Sequence, residues 1–296
     1  MTEKKINRKA TDMDIKKVAV LDGEVQDGAI WGNLLFRFTS KGECMVYDVS
    51  GLPENPDCPK IASFILDRAD IIPPHSNAAV FGKEYFAEGD EFPLLYSNMY
   101  NNFAEKEDML KGSVLVYRLE RAGDSFKTTL LQIIQVGFTE DTDLWHSEDK
   151  KDARPYGNFV VDRDSGKLYA FTMRDMTKTT RYFAFNMPSL DDGEMDERFG
   201  VRRAVLEKED ILEYFDTPYH NFLQGAVLYE GKVYSTEGFH ERIHPAIRII
   251  DVKEKKELLA IDLFEAGLPY EAEFVDFKDG VCYYGDHLGN IFKIDF

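Results

Sequence analysis

One pattern stated five times constrains this chain more than anything else in it. QDGAIWGNLLFRF, SNAAVFGKEYF, YGNFVVDRDSGKLYAFTM, LQGAVLYEGKVYSTEG and EAEFVDFKDGVCYYGDHLG each begin with polar or glycine residues, pass through a small or apolar strand, turn, and usually continue into a strand bearing Tyr or Phe. A third strand follows each as CMVYDV, VLVYRL, RYFAFNM, AIRIIDV or NIFKIDF. Four of these are followed by a further apolar run: KIASFIL, TTLLQIIQVGF, VRRAVL and ELLAIDL. The apolar blocks are short or alternating and are bounded by Gly, Asn, Asp and Pro, and the 22 Phe and 15 Tyr favour strands. Four strands per repeat, arrayed radially, make a propeller blade.

Spacing predicts how the ring closes. The polar residues that open the repeats, Asp27, Asn77, Asn158, Gln224 and Glu273, recur at intervals of 50, 81, 66 and 49 residues. Only 23 residues follow Glu273 and they hold no fourth strand, whereas the 26 residues before Asp27 contain an unused one, KKVAVL. An N-terminal strand that completes the last blade removes both open sheet edges. The expectation is an all-β, five-bladed β-propeller forming a single domain over 1–296. Its blades fall at about 22–70, 71–140, 154–207, 222–263 and 268–296 plus 14–21. Six blades is the alternative, because the 81-residue interval has room for a degenerate unit. The segment LEKEDILEYFDTPYHNF is read as a short helical turn capping one face.

In a propeller the first strand of each blade lines the axis, so the polar residues at its start converge at one end. This predicts a polar rim of Gln26, Asp27, His75, Asn77, Arg154, Tyr156, Asn158, Gln224, Glu271 and Glu273 as ligand contacts. Loops joining second and third strands bring Glu237, Arg37, Asp286 and His287 to the same edge. A set holding Arg, Tyr, His and several Glu is more varied than turn capping requires.

FLQGAVLYEGKVYSTEGF, followed by AIRIIDVKEKKEL, resembles the blade signature of the plant and bacterial type of glutaminyl cyclotransferase, a five-bladed propeller family. Gln224 and Gly225 match the family's F-x-Q-G start, while its acidic residue and its Thr fall at Ser235 and Glu237. The chain as a whole resembles a family of bacterial β-propellers to which no activity is assigned, through PHSNA, DEFPLLY, RPYGNFVVD and LQGA. The second resemblance implies a fold and no reaction.

Composition narrows the partners. With 54 acidic against 36 basic residues the net charge is -18, a field that repels a phosphate backbone, so no nucleic acid is expected. No apolar run approaches the ~18 residues of a membrane span, and no signal-like segment with a cleavage site occurs, so no membrane partner and a cytoplasmic location are expected. Cys44, Cys58 and Cys282 read as small apolar groups in a reducing compartment, with a Cys44–Cys58 bridge as the alternative.

The segment from His240 to His244 satisfies H-E-x-x-H, but Gly238 precedes it, Pro245 follows it, and AIRIIDV begins a strand. A zinc-binding helix does not fit there, and neither metal nor cofactor is expected. No phosphate loop, dinucleotide fingerprint or G-x-S-x-G elbow occurs. Two functions remain. One is a small polar ligand, a sugar or a peptide end, bound and in some versions transformed in an axial funnel by a lyase, transferase or glycosidase-like step. The other is a noncatalytic protein-interaction platform.

Overall fold

Strand β1 (Asp14–Val20) lies antiparallel to residues 290–295, with Asp14 opposite Asp295 and Val20 opposite Asn290, so both ends of the chain share one sheet. The computed structural model describes residues 13–23, 25–71, 74–76, 78–99, 112–138, 158–174, 177–239 and 243–296. Five sheets are arranged as a five-bladed β-propeller.

The first blade is β2 (Asp27–Trp31), β3 (Leu34–Phe38), β4 (Glu43–Asp48) and β5 (Lys60–Ile65). The second is built on β6 (Ala79–Phe81), β7 (Leu95–Asn98), β8 (Ser113–Ala122) and β9 (Ser125–Val136). The third begins with β10 (Asn158–Asp162), β11 (Lys167–Arg174) and β12 (Thr179–Asn186).

The chain then departs from the expected pattern. VRRAVL, expected as the fourth strand of the third blade, is instead β14 (Val201–Leu206), which pairs in parallel with β9 on the outside of the second blade. Strand β13 (Glu194–Asp196) joins it there. The third blade is closed by β15 (Glu213–Pro218), which lies within the segment expected to be only a helical turn. The helical part of that segment is a single 3-10 turn, Lys208–Asp210. The third blade therefore extends beyond residue 207. The 81-residue interval conceals no extra blade among the described residues; part of its length goes into the long β8–β9 hairpin.

The fourth blade is β16 (Leu223–Tyr229), β17 (Lys232–Phe239), β18 (Ile243–Asp251) and β19 (Lys256–Asp262). The fifth is β20 (Ala272–Lys278), β21 (Val281–Asp286), β22 (Asn290–Asp295) and β1. The hairpin at Glu230-Gly231 has positive φ at both residues, 48° and 71°, the left-handed pair that matches the twist of its flanking strands.

Apolar side chains interleave between blades. Phe36 of the first blade meets Phe81, Phe92 and Phe126 of the second edge-on, at centroid distances of 5.4 to 5.8 Å. Each such fully buried ring contributes roughly 1.5–3 kcal/mol relative to exposure. The segment EYFAEGDEFPLLY accordingly buries Phe92 and Tyr96, leaving Tyr85 and Phe86 about half exposed. Cys44 and Cys282 are buried, Cys58 is partly buried, and all three are free thiols.

Candidate functional site

The inner strands β2, β6, β10, β16 and β20 surround the axis, and they are joined where they begin. The carboxylate of Asp27 accepts the Ala79 N–H of the second blade. Asn98 receives the Ala78 N–H at 2.8 Å and donates through Nδ2 to Asn158 Oδ1 at 3.0 Å. Asn158 in turn donates to the Gln224 carbonyl. Blades one to four are thereby linked in sequence. We call this end of the disc the upper end.

Gln224 carries the links on to the fifth blade. Its Nε2 donates to the Glu271 carboxylate of the fifth blade and, at 3.2 Å, to the Gly238 carbonyl. The glycine after it has a steric reason. A Cβ on Gly225 would collide with the Glu273 carbonyl oxygen and the Phe274 Cα, and would lie 2.9 Å from Asp27 Oδ1. Inner strands of the fourth, fifth and first blades approach so closely that no side chain fits between them.

Glu273 stands in the middle of this arrangement and differs from its neighbours. It is 1% exposed, and its Oε2 has no hydrogen-bond partner among the described residues. Burial drives its pKa well above the ordinary carboxylate range; the charges of Glu271, Asp27 and Asp286 push the same way, and Arg37 opposes them. Asp27 is also raised, chiefly by burial, although the Gly28 and Ala79 amides favour its charged form.

Arg37 is fully buried on β3. It donates to the carbonyls of Asp22 at 3.2 Å and Gly23 at 3.4 Å, and its Nε has no partner among the described residues. Desolvation lowers its pKa. A buried acid and a buried guanidinium thus sit within electrostatic reach of each other, each with an unused hydrogen-bonding atom.

The remaining predicted residues divide. Gln26 accepts from His75 Nε2 at 2.5 Å, across 49 residues of chain, and burial lowers the His75 pKa. Asn77, Arg154 and Tyr156 lie outside the described residues, as does His240 of the H-E-x-x-H segment. His244 of that segment is in strand β18, stacked on Phe264 at 4.1 Å and facing Asp262.

Glu237 is brought near the start of β16 but its carboxylate is fully engaged. It accepts Asn221 N–H at 2.9 Å and both Nε and Nη2 of Arg248, at 3.0 and 2.7 Å. Arg248 continues through Glu257 to buried His220, each contact at 3.3 to 3.4 Å. Among the described residues Glu237 belongs to this inter-blade ion network.

Asn98 was not among the predicted residues. It lies on a second strand, and the only signal for it is the SNM sequence ahead of a segment whose pairing the repeat does not specify. His287 also joins the upper end, with its N–H on the Glu271 carbonyl at 3.0 Å and its Nδ1 buried without a partner among the described residues.

No protein-family model matches this chain, and no curated protein matches it. Among solved structures it is similar to glutaminyl cyclase of Myxococcus xanthus at 10% identity and a TM-score of 0.48, with 95% of this chain and 94% of that one covered. It is also similar to the PQQ-bound aldose sugar dehydrogenase of Streptomyces coelicolor at 11% identity and a TM-score of 0.49, covering 96% of this chain and 98% of that one. Nothing about activity follows from identities of this size.

Proposed function

We propose that the upper end of the axis binds a small polar molecule, a sugar or a peptide end. The observation that carries this reading is that Glu273 Oε2, 1% exposed, is buried with no hydrogen-bond partner among the described residues, while the Arg37 guanidinium, whose Nε is likewise buried and unpartnered among them, lies within electrostatic reach. A buried polar atom left without a partner costs about 1–3 kcal/mol, so such atoms at one end of the ring argue for a third party that serves them. The carboxyls of Asp27, Glu271 and Glu273 accompany one guanidinium, and a protonated Glu273 both donates and accepts, so the set suits ligand groups that can do both. Hydroxyls and amino groups fit that demand.

A proton held on Glu273 by burial and by neighbouring acids is what a general acid requires, and a lyase, transferase or glycosidase-like step is the class in which it would serve. Binding is the part of the reading that supports a direct test. Titration calorimetry with a panel of monosaccharides and of tripeptides with free ends should find a ligand, and Glu273→Ala should weaken it at least about tenfold, since both the donor and the acceptor of the carboxyl are lost from a desolvated site. Glu237→Gln should leave the affinity unchanged. A panel without a binder, or equal affinity in Glu273→Ala, would favour the noncatalytic interaction platform instead.

A further inference from the structure

A cavity lies away from the axis, between the second and third blades. It encloses about 520 Å³, within the range of small-molecule sites. Its walls are the apolar faces of Leu94, Val161, Met187 and Leu190, with the Tyr96 ring among them. Tyr96 is 4% exposed, and its hydroxyl makes no hydrogen bond among the described residues. Gly82 clears the space for that ring, because a Cβ there would collide with it. The sequence therefore keeps a bulky phenol in the wall of a cleft where it has no hydrogen-bond partner among the described residues.

Charge at the mouth selects the occupant. Lys83, the cation at the rim, is turned to the Asp164 carbonyl at 3.3 Å. Glu84 beside it has no ion pair and no hydrogen bond to its carboxylate among the described residues, and its charge reaches the Tyr96 phenol, helping burial to raise that group's pKa. Tyr85, half exposed, supplies a second aromatic face at the rim, suited to a cation.

We infer that this cleft binds an amphipathic amine: an apolar or aromatic body lies against Leu94, Val161 and Leu190, and a protonated amino head meets Glu84 and the Tyr96 oxygen. The site is independent of the axial one. Its apolar floor suits a body without hydroxyls, unlike a sugar.

The test uses the full chain and three probes that share a phenylethyl body, 2-phenylethylamine, 2-phenylethanol and 3-phenylpropionate, titrated while methyl resonances are followed by NMR. The amine should bind with a millimolar Kd or tighter and shift Leu94, Val161 and Leu190, with the alcohol weaker and the acid weakest. Glu84→Gln should weaken the amine about threefold to fivefold, the size of an exposed ion pair, and added salt should do the same in wild type. Gly82→Ala should abolish the shifts by displacing the Tyr96 ring. If that variant fails to fold, Tyr96→Phe, which keeps the ring, should still weaken the amine measurably. Equal binding of acid and amine, unchanged affinity in Glu84→Gln, shifts confined to other methyls, or no binding at all would overturn the inference. Loss of sugar or peptide binding at the axis has no bearing on these readouts.

Discussion

Asp276 of the last blade accepts the backbone N–H of Ile30 in the first at 2.6 Å, across 246 residues of chain. With the β1–β22 pairing it holds the two ends of the ring together from the inside. Asp276→Ala should cost about 1–3 kcal/mol, because the Ile30 amide stays buried without an acceptor, and Asp276→Asn should recover at least half of that. Urea melts of both variants check the order. Equal losses would show that the hydrogen bond contributes nothing.

Removing residues 1–21 should open the outer edge of β22 and strip Val18, Ala19 and Leu21 from the core of the last blade. The apolar loss alone is about 4 kcal/mol, or roughly 6 °C in Tm for a chain of this length, and the exposed edge invites association. Thermal melts combined with light scattering should show a destabilised, self-associating chain. A monomer melting with the full-length protein would contradict the closure.

Stability should depend on pH through Glu273. A carboxyl whose pKa is raised on folding holds its proton more tightly in the folded chain. Its contribution is therefore complete below the unfolded value of about 4.3 and is lost as the pH rises through the folded one. Glu273→Gln carries no such penalty. The variant should exceed wild type at pH 8 by roughly 1.4 kcal/mol for each unit separating the two pKa values, with the gap closing near pH 4. Denaturant melts at pH 4, 6 and 8 measure it, and a gap that does not change with pH would be inconsistent with a desolvated acid.

Glu237→Ala should act on folding rather than on binding. It leaves the Arg248 guanidinium against Glu257 without its closer partner, at a cost of about 3 kcal/mol for breaking a largely buried pair. A melt and a ligand titration on the same variant separate the two effects.

The inner strands and the closing strand were legible because both rest on the repeat: the same polar start recurs, and strands of a blade follow one another in the chain. VRRAVL was not, because alternation of apolar residues marks a strand without saying which edge accepts it, and a parallel partner across a blade boundary breaks the consecutive rule. EYFDTP hid as a strand behind the charged LEKED that precedes it. At the upper end, the convergence of Gln26, Asp27, His75, Asn158, Gln224, Glu271 and Glu273 follows from their places in the repeat, while Asn77, Arg154 and Tyr156 lie outside the described residues. The engagement of Glu237 depended on the β17–β18 register that puts it opposite Ala246 and diagonal to Arg248, and spacing alone does not fix that register.

Ring closure leaves the Glu273 carboxyl desolvated, with its Oε2 unpartnered among the described residues, and the ¹³C carboxyl titration of Glu273, assigned by comparison with Glu273→Gln, measures the consequence. The resonance should remain that of the protonated acid well above pH 4.5, in line with the direction that burial, Glu271, Asp27 and Asp286 impose. A resonance that titrates at or below the ordinary glutamate value of about 4.3 would mean that water or a protein donor already serves Glu273, and would remove the basis for an axial ligand site.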